Sequence, residues 1–220
     1  MIRCLKYLSG FCKSTQGSIS VESVLMFPML ALAMMSTYIY FDAFKAKNTN
    51  LKAVYTIADA IGREGAINDT YLDTMHRLLN FLTNSNHPTR LRVTLVQCAE
   101  AATCKDSEPG SMVYDVVWSQ VRGNNINAWT DANINDLRSR LPVFPKGDSL
   151  LVVEIAMAYE PIFNVGFPAL SIDNLAVTRA RFIPPYICWE QGPGEFECPF
   201  GMPPPADAPS DDDPDRDTPG

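Results

Sequence analysis

Residues 19–41 form an apolar run with one ionisable side chain, Glu22, and Asp42 closes it. Nothing else in the chain restricts the fold as strongly. A helix of that length is about 35 Å long and crosses a hydrocarbon core of roughly 30 Å with some tilt. The run therefore reads as a single transmembrane helix, residues 18–42, behind a basic leader, residues 1–17, that carries Arg3, Lys6 and Lys13. A cleaved secretory signal peptide has the same order of basic and apolar segments and is the competing reading. Its apolar region is usually shorter, about 7–15 residues. The small-residue triplet from Ala31 to Ala33 also sits inside the run instead of behind it.

The flanking cations leave orientation open, since Lys45, Lys47 and Lys52 balance those of the leader. The cysteines carry more information. Cys4 and Cys12 precede the span, whereas Cys98, Cys104, Cys188 and Cys198 follow it as two locally spaced pairs. Paired cysteines on one side suit an oxidising compartment, which puts the body outside the cytoplasm and the leader, with reduced thiols, inside it. Zinc knuckles separate their ligands by about two to four residues. Five and nine residues separate the cysteines here, and His76 and His87 lie elsewhere, so metal ligation fits less well than disulfides. Short closures cost the least chain entropy, which favours joining Cys98 to Cys104 and Cys188 to Cys198, although four cysteines allow three pairings.

Glu22 has two readings. A carboxylate within about a turn of the interface can snorkel to water, and there it costs less than the roughly 2.5–3.5 kcal/mol of a charge at mid-membrane. Cleavage between Gly17 and Ser18 would instead leave an α-amine one turn before Glu22, and the two charges could pair between neighbouring subunits. Pro28 removes the hydrogen bond to the Val24 carbonyl and is expected to kink the helix.

Beyond the span the pattern predicts an α+β body over residues 43–183, mainly antiparallel in its sheet. Phe44, Leu51, Val54, Tyr55, Ala58 and Ile61 continue at helical spacing as far as Gly62 or Gly65. A second helix over 69–82 is expected, capped by Asn68, with Leu72, Met75, Leu78, Leu79 and Leu82 on one stripe. Strands are expected at 90–98, 112–121, 149–159 and 172–183, and a short helix at 130–141 before Pro142. Residues 184–205 read as a proline-rich, irregular, disulfide-tied flap, and residues 206–220, with six Asp and one Arg, as a disordered acidic tail. Alternating aspartates from Asp211 to Asp217 lack the glycine and glutamate of a calcium loop.

Composition also excludes. A net charge of −7 argues against a nucleic-acid partner. No nucleophile elbow, zinc-protease, phosphate-loop or dinucleotide pattern occurs, so neither an enzyme, a metal, a cofactor nor a small-molecule substrate is expected.

Gly17, Val21, Glu22 and Pro28, in G-S-I-S-V-E followed by an apolar stretch, resemble the N-terminus of TadE/TadG-like proteins, pseudopilin-like components of the tight-adherence (Tad or Flp) pilus system. The segment K-A-K-N-T-N-L-K-A-V is similar to the family's N-x-L-x-x-A-type continuation, and 149–183 to its C-terminal pair of strands. Ser23 stands where the Flp pilin cleavage pattern has tyrosine, and the D-x-S-x-S residues of larger TadG-type relatives are absent, which points to the small TadE-like side. The resemblance implies a pilin-like fold anchored in the bacterial inner membrane with a periplasmic body. It also implies processing after Gly17 by a prepilin peptidase, and other pilus subunits or pseudopilins as partners. A single-pass membrane protein whose periplasmic domain binds a partner unrelated to pili is the alternative.

Overall fold

The computed structural model describes residues 18–83, 88–98, 112–145, 147–161, 169–181 and 186–205. Gly17 and the rest of the leader, Cys104 and the acidic tail lie outside them. Two units are distinguished, residues 1–44 with 161–168 and residues 45–160 with 169–220.

In the first unit the described chain is almost entirely the start of α1, Ser18–Ile61, which runs through Pro28 without interruption. In the second unit the last turns of α1 bury Asn50, Ala53, Val54, Ile57, Ala58 and Ile61. Those positions follow a spacing of three and four, the stripe by which a helix meets a core. Two residues of the expected stripe fall off it: Phe44 and Tyr55 are more than half exposed. One step of 100° separates Tyr55 from the buried Val54, enough to carry its ring off the packed face.

A short strand β1, Ala66–Ile67, leads into α2, Asp69–Thr83. The Tyr71 N–H donates to Asn68 Oδ1 at 2.9 Å, so Asn68 caps α2 as its sequence position predicts, a contribution of about 1 kcal/mol. Leu72, Met75 and Leu79 are buried, and Leu78 and Leu82 pack beside them. Arg122 holds the helix start to the sheet through Asp69 and through Asp73 at 2.5 Å.

The main sheet contains β2, Thr89–Cys98, β3, Tyr114–Arg122, β4, Ser149–Tyr159, and β5, Leu170–Thr178. Its order is β3-β2-β4-β5 and every pairing is antiparallel. Alternation sorts the side chains to two faces. Leu91, Val93, Leu95, Trp118, Leu151, Val153, Ile155 and Ala176 form one core with α1 and α2. On the other face Val96, Tyr114, Leu150 and Val152 meet Ile134, Leu137, Leu141 and Phe144 from the segment between β3 and β4.

That covering segment is a 3-10 helix, Ile134–Arg140, within the short helix expected over 130–141. Ile134 and Leu137, three apart, face the sheet, and a three-residue turn stacks them directly above one another. β5 stops at Thr178, short of the expected 183, because the Arg181 N–H donates to the Gly62 carbonyl at 2.8 Å and draws the chain off β4 toward the end of α1.

The proline-rich segment is more regular than its composition suggests. β6, Cys188–Gly192, and β7, Glu195–Glu197, form a hairpin around Gly194, whose φ of 73° is easy only for glycine. β6 pairs in parallel with β1, giving a second sheet of order β1-β6-β7. Ile187 and Trp189 enter the main core, where the Trp118 indole N–H donates to the Ile187 carbonyl at 3.1 Å and the two indoles lie 5.9 Å apart. Cys188 and Cys198 are joined by a disulfide across this hairpin. Cys98, at the end of β2, is also disulfide-bonded.

Candidate functional site

From Ile19 to Phe41 every residue of α1 except Ala31 and Ile39 is exposed, and most are large and apolar. A helix apolar on all sides cannot be satisfied by a single packing partner; it needs an apolar medium or several neighbours. α1 is long and apolar enough to cross a membrane. Its hydroxyls suit such a medium. Ser23 Oγ donates to the Ile19 carbonyl and Thr37 Oγ1 to the Ala33 carbonyl, each at 2.8 Å, so neither donor depends on water.

The end of the run is marked by rings. Tyr38, Tyr40, Phe41 and Phe44 are all exposed. Tyr40 meets Phe41 edge-on at 5.9 Å and stacks on Phe44 at 6.3 Å. Aromatic side chains concentrate where a helix leaves hydrocarbon for the headgroup layer. This belt was legible in the sequence as four rings within seven residues, yet the charge pattern alone does not reveal it.

The expected site residues fall as follows. Ser18 opens α1 and Glu22 is exposed one turn later, while Gly17 lies outside the described residues. Pro28 is inside the helix. Of the cysteines, Cys188 and Cys198 are brought together, and the partner expected for Cys98, Cys104, lies outside the described residues.

A second constellation was missed in the sequence. On the sheet face covered by the 3-10 helix, a cleft of about 360 Å³ is lined by Arg90, Arg92, Trp129, Arg140, Glu154 and Asp173, among others. Arg92 and Glu154 sit opposite one another on β2 and β4. Their side chains are 16% and 14% exposed, and Arg92 Nε donates to Glu154 Oε2 at 2.7 Å. Trp129 Nε1 donates to the same oxygen at 2.5 Å, and its ring lies 4.1 Å beneath the Arg92 guanidinium. Arg92 Nη1 also reaches the Asn127 carbonyl at 2.9 Å. Such shielding strengthens each charge-assisted bond and holds Arg92 in one orientation. The signal available was Arg90-Leu91-Arg92-Val93, in which alternation sends both arginines to one face of β2; their carboxylate partner is set by a register that one strand does not encode.

No protein-family model, curated protein or solved structure matches this chain.

Proposed function

We propose that the chain is a TadE-like minor pseudopilin, a structural component for the assembly of Tad/Flp pili used in adherence. In this reading α1 anchors it in the bacterial inner membrane with the N-terminus in the cytoplasm and the α+β body in the periplasm. Its partners are other Tad pilus subunits or pseudopilins, and a prepilin peptidase acts between Gly17 and Ser18. The observation that carries the proposal is the apolar surface of α1, with Glu22 its one side chain charged at neutral pH from Ile19 to Phe41 and one turn from Ser18. An α-amine at Ser18 and the Glu22 carboxylate would each be costly in hydrocarbon and would offset one another as a pair between subunits.

The competing reading is a single-pass membrane protein whose periplasmic domain binds a partner unrelated to pili, and the arginine-lined cleft favours it. Sequencing the N-terminus of the mature protein, together with counting surface pili in a deletion strain and in a Glu22→Gln strain, separates the two. The pilus reading expects Ser18 as first residue, loss of pili on deletion, and normal membrane insertion but impaired piliation for Glu22→Gln. Met1 retained and piliation intact would overturn it.

A further inference from the structure

We propose that the cleft beside Arg92 binds the carboxylates of the chain's own aspartate-rich segment, residues 206–220, intramolecularly. Guanidinium groups outnumber carboxylates in the cleft: Arg90, Arg92 and Arg140 stand against Glu154 and Asp173, in a chain of net charge −7. The carboxylates are already engaged. Glu154 serves Arg92 and Trp129, and Asp173 accepts from Ser171 Oγ at 2.7 Å.

Two of the cations are not engaged to the same degree. Among the described residues Arg90 reaches only the Asn125 carbonyl at 3.4 Å and Ser171 Oγ at 3.5 Å. Arg140 is exposed and makes no hydrogen bond or ion pair among the described residues. Planar guanidinium forks recognise carboxylates in bidentate fashion, so the unmet demand of this cleft is for carboxylate oxygens.

Residues 206–220 are the densest source of that group, with Asp207, Asp211, Asp212, Asp213, Asp215 and Asp217 around a single Arg216. Reach is sufficient. The Phe200 N–H donates to Gln97 Oε1 at 3.1 Å, which places the turn before Pro205 at the far end of β2 from the cleft. From Gln97 to Arg90 is about 23 Å along a strand, and the segment beyond Pro205 extends to about 50 Å. Tethering on this scale supplies an effective concentration on the order of 1 mM.

The test uses a fluorescein-labelled peptide of residues 206–220, read by anisotropy against detergent-solubilised protein. A chain truncated after Pro205 should bind it. The full-length chain should bind at least about tenfold more weakly because the tethered copy competes. Replacing the six aspartates by asparagine within the full-length chain should restore binding to the truncated level, which keeps the test independent of any folding defect from truncation. Arg90→Gln with Arg140→Glu should weaken peptide binding at least tenfold; Arg92 is left intact because its loss would strand Glu154. Equal affinity for full-length and truncated chains overturns intramolecular occupancy. Indifference to the arginine variants, or equal binding of an all-asparagine peptide, overturns the cleft as the site.

Discussion

Removing the Cys188 to Cys198 disulfide should loosen the whole body and not just a surface loop. The bridge closes a sequence separation of 10 residues. In the chain-entropy treatment that closure removes about 2.7 kcal/mol of freedom from the unfolded state at 25 °C. Cys188 is fully buried, so alanine there leaves a small void worth about 1 kcal/mol more. The sum, about 3.7 kcal/mol, corresponds to a fall in Tm of about 7–15 °C for a body of this size. The loss spreads because Ile187 and Trp189, on either side of Cys188, belong to the main core. A Cys188→Ala, Cys198→Ala double variant is the material, and thermal unfolding followed by tryptophan fluorescence is the assay, since the Trp118 and Trp189 indoles lie together in that core. Fully reduced wild-type protein should melt lower still, because the bond at Cys98 is lost as well. A fall of less than about 2 °C, or a melt in which the flap detaches in a separate step, would refute the claim that the hairpin is part of the core.

Three further outcomes are expected. Ile57→Ala removes a fully buried side chain of α1 from the sheet and should cost about 2–5 kcal/mol in a denaturant titration. Gly123→Ala should destabilise by about 1–3 kcal/mol, because φ is +100° and a Cβ would meet the Thr89 carbonyl oxygen at 2.6 Å; the same titration reads it. Alkali should loosen the body through its tyrosines. Burial and the neighbouring Glu64 raise the Tyr71 hydroxyl well above its usual range, and burial raises Tyr114, opposed by Arg138. Both are neutral when folded, so their contribution is intact below the ordinary tyrosine value near 10 and is lost as pH rises above it. Tyr71→Phe should flatten the decline of Tm between about pH 9.5 and 11.

What could be read from the chain depended on whether a signal was local. The Asn68 cap and the stripe of α2, and the span of β4, are carried by periodicity and capping within a few residues. Asn50 was invisible to the same reasoning. It is fully buried yet polar, and it fits because Asn174 Nδ2 on β5 donates to its Oδ1 at 3.0 Å and its own Nδ2 donates to the Ile172 carbonyl at 3.5 Å, partners more than a hundred residues away. Proline content hid β6 and β7, since composition reports the average of a segment and not the few residues, Cys188 and Trp189, whose pairing with β1 makes them a strand. The cleft was missed for a similar reason, as only the pairing of β2 with β4 sets Glu154 against Arg92.

The parallel pairing of Ala66 with Cys188 also orders events in time. The Asn68 and Glu190 side chains that meet beside this contact are 122 residues apart in the chain. At about 5–20 residues per second, synthesis needs roughly 6–24 s to deliver the second strand after the first. Until then Trp118 has no Ile187 carbonyl for its indole N–H and no Trp189 to cover its ring. The newborn body is therefore held open on one side until that late strand is made. A chain that ends before Ile187 should expose that seam permanently, and a chaperone or protease that surveys unfinished domains would find its target at Trp118.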